Sequence, residues 1–162
     1  MTPPSTKLDP PRYEDCGELL IAGLGSTFDS KTATGIAELW MKFAPSLGNV
    51  PGQRGRLAYG VVQGTGGGSD TFQYLAGVEV SDPTLVPVEF SCVRLPPRRY
   101  AVFPHHGHSS KIRETMHAIM NDWLPNSGRQ RVMPPDFFER YDERYDPNSG
   151  MGGTEIWLPI KS

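Results

Sequence analysis

The chain has 162 residues and a formal charge of −2, which suits one domain and leaves no basic excess for a nucleic-acid partner. Its two cysteines, Cys16 and Cys92, form neither a disulfide framework nor a CxxC motif, so the expected compartment is the reducing cytoplasm. The opening MTPPSTKLDPPR has no apolar signal-peptide core, and no run is long enough to span a membrane.

Residues 1–14 read as a Pro-rich disordered tail and 15–162 as a single domain. GELLIAGLGSTF (17–28) predicts a strand with Leu20, Ala22 and Leu24 on one face. Residues 33–44 predict a helix, because Ile36, Leu39, Trp40 and Phe43 fall at i, i+3, i+4 and i+7; Pro45 and Gly48 end it. RLAYGVVQ (56–63) and TFQYLAGVEV (71–80) predict two strands joined by a flexible hairpin loop, GTGGGSD. FSCVRL and RRYAVFPHH follow as strands broken at Pro96 and Pro97. A second helix over 110–124 has Ile112, Met116, Ile119, Met120 and Trp123 as its stripe, Ser109 or Ser110 as its cap, and Pro125 and Gly128 as its end. PPDFFERYDERYDP and a last strand, TEIWLPI, complete the chain. Each half thus reads strand, helix, strand, strand, with repeat one about 17–80 and repeat two about 90–161. The expected fold is α+β: a tandem βαββ duplication, an antiparallel sheet with two helices on one face, and a ligand groove between the repeats.

PPDFFERYDERYDP places acids between aromatic rings. Along an extended chain Phe137, Glu139 and Tyr141 share one face, and Phe138 and Arg140 the other. In TEIWLPI, Glu155, Trp157 and Pro159 share a face, while Ile156, Leu158 and Ile160 form the face expected under the helices. The expectation is a groove lined by Tyr59, Tyr74, Tyr141 and Trp157 with Glu139 inside, and with Trp40 and Phe103 as further walls. Ring faces attract cations, and a buried carboxylate supplies the counter-charge. Glu155 is a second candidate acid. In the ordinary alternative the rings are core and Glu139 pairs with Arg140, Arg144 or a Lys. FPHHGH (103–108) lacks the ligand spacing of a zinc site, so no metal is expected. GLGS lacks the third Gly of a dinucleotide fingerprint, and GTGGGSD lacks the Lys-Ser/Thr of a phosphate loop, so no cofactor is expected.

RRYAVFPHHGHSSKIRETMHAIMNDWLPNSG, DFFERYDERY and TEIWLPIKS, with AGL, IAELW and AYGVV in the first half, resemble the effector-binding domain of the GyrI-like superfamily over about residues 15–161. That superfamily includes ligand-binding halves of AraC- and MerR-type multidrug regulators, stand-alone gyrase-inhibitor proteins and integron-cassette cationic drug-binding proteins. The resemblance implies a duplicated βαββ fold whose groove takes lipophilic, often cationic, small molecules. It implies an acid after an aromatic in the strand following the second helix, which matches Glu139 after Phe138. It also makes Tyr59 and Trp157 counterparts of the family's pocket walls. Only about 15 residues precede the first predicted strand, so a stand-alone binder without direct nucleic-acid contact is expected. Some members are hydrolases of strained rings, which would make Glu139 with Tyr141 or Tyr59 an acid/base pair. A protein partner such as gyrase, or a second copy of the chain, is the remaining partner class.

Overall fold

The computed structural model describes residues 8–29, 31–64, 71–146 and 149–162. The expected tail over 1–7 and the hairpin loop over 65–70 lie outside the described residues. Eight strands form one antiparallel sheet: β1 (Arg12–Cys16), β2 (Leu19–Phe28), β3 (Gln53–Gln63), β4 (Phe72–Val80), β5 (Ser91–Leu95), β6 (Arg98–His105), β7 (Phe137–Tyr141) and β8 (Thr154–Ile160). The spatial order is β1-β6-β8-β7-β3-β4-β2-β5. Each βαββ repeat sets its third strand between its first and second, giving β2-β4-β3 and β6-β8-β7. The two repeats join where β3 pairs with β7.

Two strands stand outside the repeats, and one corrects the expected tail. Residues 12–14 are ordered as part of β1, which pairs with β6 from Arg12↔Val102 to Cys16↔Arg98. RYEDC is too polar to signal a strand by itself; the free edge of β6 supplies the ladder. β5 pairs with β2 at the opposite edge of the sheet. The links from Cys16 to Leu19 and from Leu95 to Arg98 are short, with Cys16 opposite Arg98 and Leu19 opposite Leu95. The two edges therefore meet at this end, and the sheet curls on itself.

Helix α1 (Gly35–Phe43) has Glu38 in its first turn and Lys42 in its last, complementing the helix dipole. Asp29 forms the turn before it, its Oδ1 accepting from Lys31 N (2.8 Å) and Thr32 N (2.9 Å). Helix α2 (Ile112–Ala118) widens into a π-type turn over Ile119–Trp123 and continues as α3 (Leu124–Ser127). Pro125 does not end this helix as expected. It removes one backbone donor, and the turn ahead of it widens. Gly128 ends the helix in the left-handed conformation, at φ 72°. Lys111 stands at the N-cap position of α2 and makes no side-chain capping bond.

The sheet buries both faces. α1 covers Ala22, Val62, Tyr74, Ala76 and Val78, and α2 covers Ala101, Phe103, Ile156, Leu158 and Ile160. Trp40 packs with both clusters and so spans the two repeats. The other face holds Tyr59, Val61, Tyr100, Phe138 and Trp157, buried without a helix because the sheet curls around them. No helix among the described residues is long and apolar enough to cross a membrane.

Candidate functional site

The pairing of β7 with its neighbours decides which predicted site residues meet. Phe138 lies opposite Trp157, and the two rings stack at 5.3 Å. Directly opposed residues share a face, so Glu139 points away from Trp157. The single predicted groove is therefore two groups on opposite faces of the sheet. Glu139, Tyr141, Tyr74 and Trp40 meet on the helix face. Tyr59 and Trp157 lie on the curled face with Tyr100 and Phe138, in edge-to-face contacts of 5.2–5.5 Å. Phe103 is on the helix face, fully buried under α2 against Trp123 at 4.9 Å, and is core.

Glu155 belongs to the curled face, beside Trp157 as expected, but it is not a second free acid. It accepts from Arg140 at 2.7 Å and from Trp157 Nε1 at 3.2 Å, and pairs with Arg12. Arg140 and Arg12 also lie over the Trp157 ring, at 4.5 and 5.8 Å from its centroid. Burial alone would raise the Glu155 pKa, but the hydrogen bond from Arg12 and the charge of Arg140 outweigh it, and the carboxyl sits below its ordinary value.

Glu139 has the opposite surroundings. It is buried at 8% exposure at the centre of the sheet, where β3 and β7 join the repeats. Its Oε1 accepts from Tyr74 Oη at 2.7 Å and from Tyr141 Oη at 2.8 Å. Trp40 Nε1 in turn donates to Tyr74 Oη at 2.8 Å, and the Trp40 ring meets Tyr141 edge-on at 5.5 Å. Among the described residues no Lys, Arg or His pairs with Glu139; Arg140 is taken by Glu155 and Arg144 by Asp142. Burial raises the Glu139 pKa, and the two hydroxyl donors oppose this without cancelling it. Burial and the neighbouring carboxylate push both tyrosine hydroxyls well above their ordinary value, so they are donors throughout the working pH range.

The arrangement is a buried acid with polarised donors, closed over by one indole. A surface depression of about 360 Å³, lined by Gly128, Arg129, Gln130, Lys161 and Ser162, involves none of these residues. Two of the histidines serve local structure. Buried His105 meets Thr115 Oγ1 (2.8 Å) and the His108 carbonyl (2.9 Å), and His106 pairs with Asp9. No metal-binding group of three appears among the described residues. Sequence reasoning missed Gly60, directly opposite Glu139 in β3; its signal was a lone Gly inside the strand AYGVV.

The GyrI-like small molecule binding domain matches residues 10–161 of this chain. The transcriptional regulator BrlR of Pseudomonas aeruginosa is 32% identical over 138 residues, which is 82% of this chain and 49% of BrlR. The chain thus spans about half the length of that relative. Among solved structures, SAV2435 bound to tetraphenylphosphonium superposes with a TM-score of 0.75 at 20% identity, covering 94% of each chain. An integron cassette protein from the mobile metagenome of Vibrio cholerae superposes with a TM-score of 0.66 at 15% identity, covering 95% of this chain and 97% of that one. At these identities the two structures share the fold. With nearly the whole chain matched and the duplicated fold in place, the protein belongs to the GyrI-like family of small-molecule binding domains.

Proposed function

We propose that this domain binds lipophilic cations carrying a single charge, with Glu139 as the counter-charge and Tyr74, Tyr141 and Trp40 as the ring surfaces. One observation carries the reading: a buried carboxyl with no cation beside it among the described residues. An unpaired buried charge is costly, and an arriving cation removes that cost. The rings add about 0.5–2 kcal/mol each for a cation over a face. The tetraphenylphosphonium held by SAV2435, on the same fold, belongs to this ligand class. Both cysteines are free, which fits a site exposed to cytoplasmic compounds.

Entry requires Trp40 to leave Tyr74. α1 carries that indole and buries only Phe43 fully, whereas α2 buries Ile112, Thr115 and Ala118. α1 is therefore the helix that gives way at least cost.

The test is titration of tetraphenylphosphonium and neutral triphenylphosphine oxide, read by tryptophan fluorescence and thermal shift, on wild type and Glu139→Gln. The expected result is saturable cation binding that weakens by about 1.5–3 kcal/mol in the variant, with the neutral ligand little changed. Equal binding by the variant, or none by wild type, overturns the reading. The raised Glu139 pKa beside the Tyr141 hydroxyl also favours a second reading, general acid/base chemistry on a reactive small molecule. Tyr59 has no part in it, being on the opposite face. Catalytic consumption of a strained-ring substrate by wild type, lost in Glu139→Gln, is its test.

A further inference from the structure

We propose that Gly60 is a positioning residue of the cation site: the side chain it lacks is the space in which the Tyr74 hydroxyl meets the Glu139 carboxylate. The inference rests on the cation-site reading above. Tyr74 is on β4 and Glu139 on β7, the two neighbours of β3. Strands two apart are separated by roughly 9–10 Å, too far for direct cross-strand partners. Their side chains meet at 2.7 Å only by leaning over the strand between them. Gly60 is the residue beneath that meeting point, opposite Glu139 on one side and Ala76 on the other. A Cβ at Gly60 would lie 2.1 Å from Tyr74 Oη, 2.7 Å from Tyr74 Cζ and 2.7 Å from Glu139 Oε1.

The backbone does not demand glycine here, because Gly60 is absent from the residues with positive φ. The contrast with Gly23 and Gly77 is informative. They oppose each other in β2 and β4, and a Cβ on either would strike backbone first, at 1.9 and 2.4 Å. Those two are packing glycines. At Gly60 the three nearest atoms all belong to the tyrosine and carboxylate of that pair. An alanine there would part the pair and change the oxygen a cation meets.

The experiment compares wild type, Gly60→Ala, Tyr74→Phe and the double variant, titrated with tetraphenylphosphonium and triphenylphosphine oxide, with melting temperature measured for each. Gly60→Ala is expected to lose about tenfold or more in cation affinity while the neutral ligand changes by less than about threefold. The double variant is expected to bind the cation no worse than the weaker single variant, since both changes act on one bond. It is also expected to melt above Gly60→Ala, because the nearest clashing atom is gone. Three results overturn the inference: an unchanged cation preference in Gly60→Ala, additive losses, or no recovery of melting temperature in the double variant, including the case in which both fail to fold. If wild type prefers the cation, Glu139→Gln loses that preference and Gly60→Ala keeps it, only the role of Gly60 falls. If wild type shows no preference, the cation-site reading falls with it.

Discussion

Glu139 and Glu155 are acids on the same sheet, one strand apart, with opposite fates. Glu155 is paired by two guanidiniums and held in its charged form. Glu139 is faced by Tyr74 from β4, Tyr141 from its own strand and, through Tyr74, Trp40 from α1, all of them neutral. Its raised pKa sets two pH dependences. Cation affinity should fall as pH drops through the raised value, by up to about tenfold per unit, because the proton and the cation compete for one carboxylate. Calorimetric titration of tetraphenylphosphonium across pH measures this, and a flat profile would count against Glu139 as the site. Stability runs the other way. The folded chain keeps a proton that the unfolded chain has released above 4.5, so the stabilisation from this group is complete below that value and is lost as pH rises through the raised one. Glu139→Gln should therefore melt above wild type at neutral pH and close to it near about pH 4. Thermal unfolding in a pH series checks the sign.

Among the elements, α1 is the one the proposed entry route would displace. Trp40 ties it to both repeats through a single hydrogen bond and edge-on ring contacts. Two consequences follow from the faces the tryptophans occupy. Trp40→Phe should remove most of the fluorescence change on cation binding, whereas Trp157→Phe, on the far face, should leave it in place. Backbone hydrogen exchange in α1 should rise when the cation binds while that of α2 stays constant. Protection of α1 instead would mean that the indole remains seated and the ligand enters elsewhere.

For the whole molecule, the strand order sets the edge strand β1 apart from the proposed site. β1 closes the β6 edge and carries Arg12 onto Glu155 and Trp157. Removing residues through Asp15 should cost about 1–2 kcal/mol, a fall of roughly 2–8 °C in melting temperature for a domain this size. Cation affinity should hold, because the proposed site lies at the β3–β7 junction, three strands from β1. Parallel loss of binding would place the ligand on the curled face instead.

Local pattern alone determined the two helices, most of the strands and the doubled order of elements. It also placed Glu139 and Tyr141 on one face of their strand, and Ile156, Leu158 and Ile160 on the face that packs under α2. Alternation along an extended backbone sets such relations within a strand. It carries nothing between strands, where a shift of one residue exchanges the faces. The predicted groove joined Glu139 to Tyr59 and Trp157 across that gap, and the pairing of Phe138 with Trp157 separates them. β1 went unread for a related reason: its place comes from an open edge some 85 residues further along, not from its own composition. Only the tertiary structure separated Trp40, Tyr74 and Tyr141, which gather around one carboxylate, from the Tyr59 and Trp157 expected beside them. Their meeting depends on three strands and a helix from both repeats, and on a glycine whose role is the space it leaves.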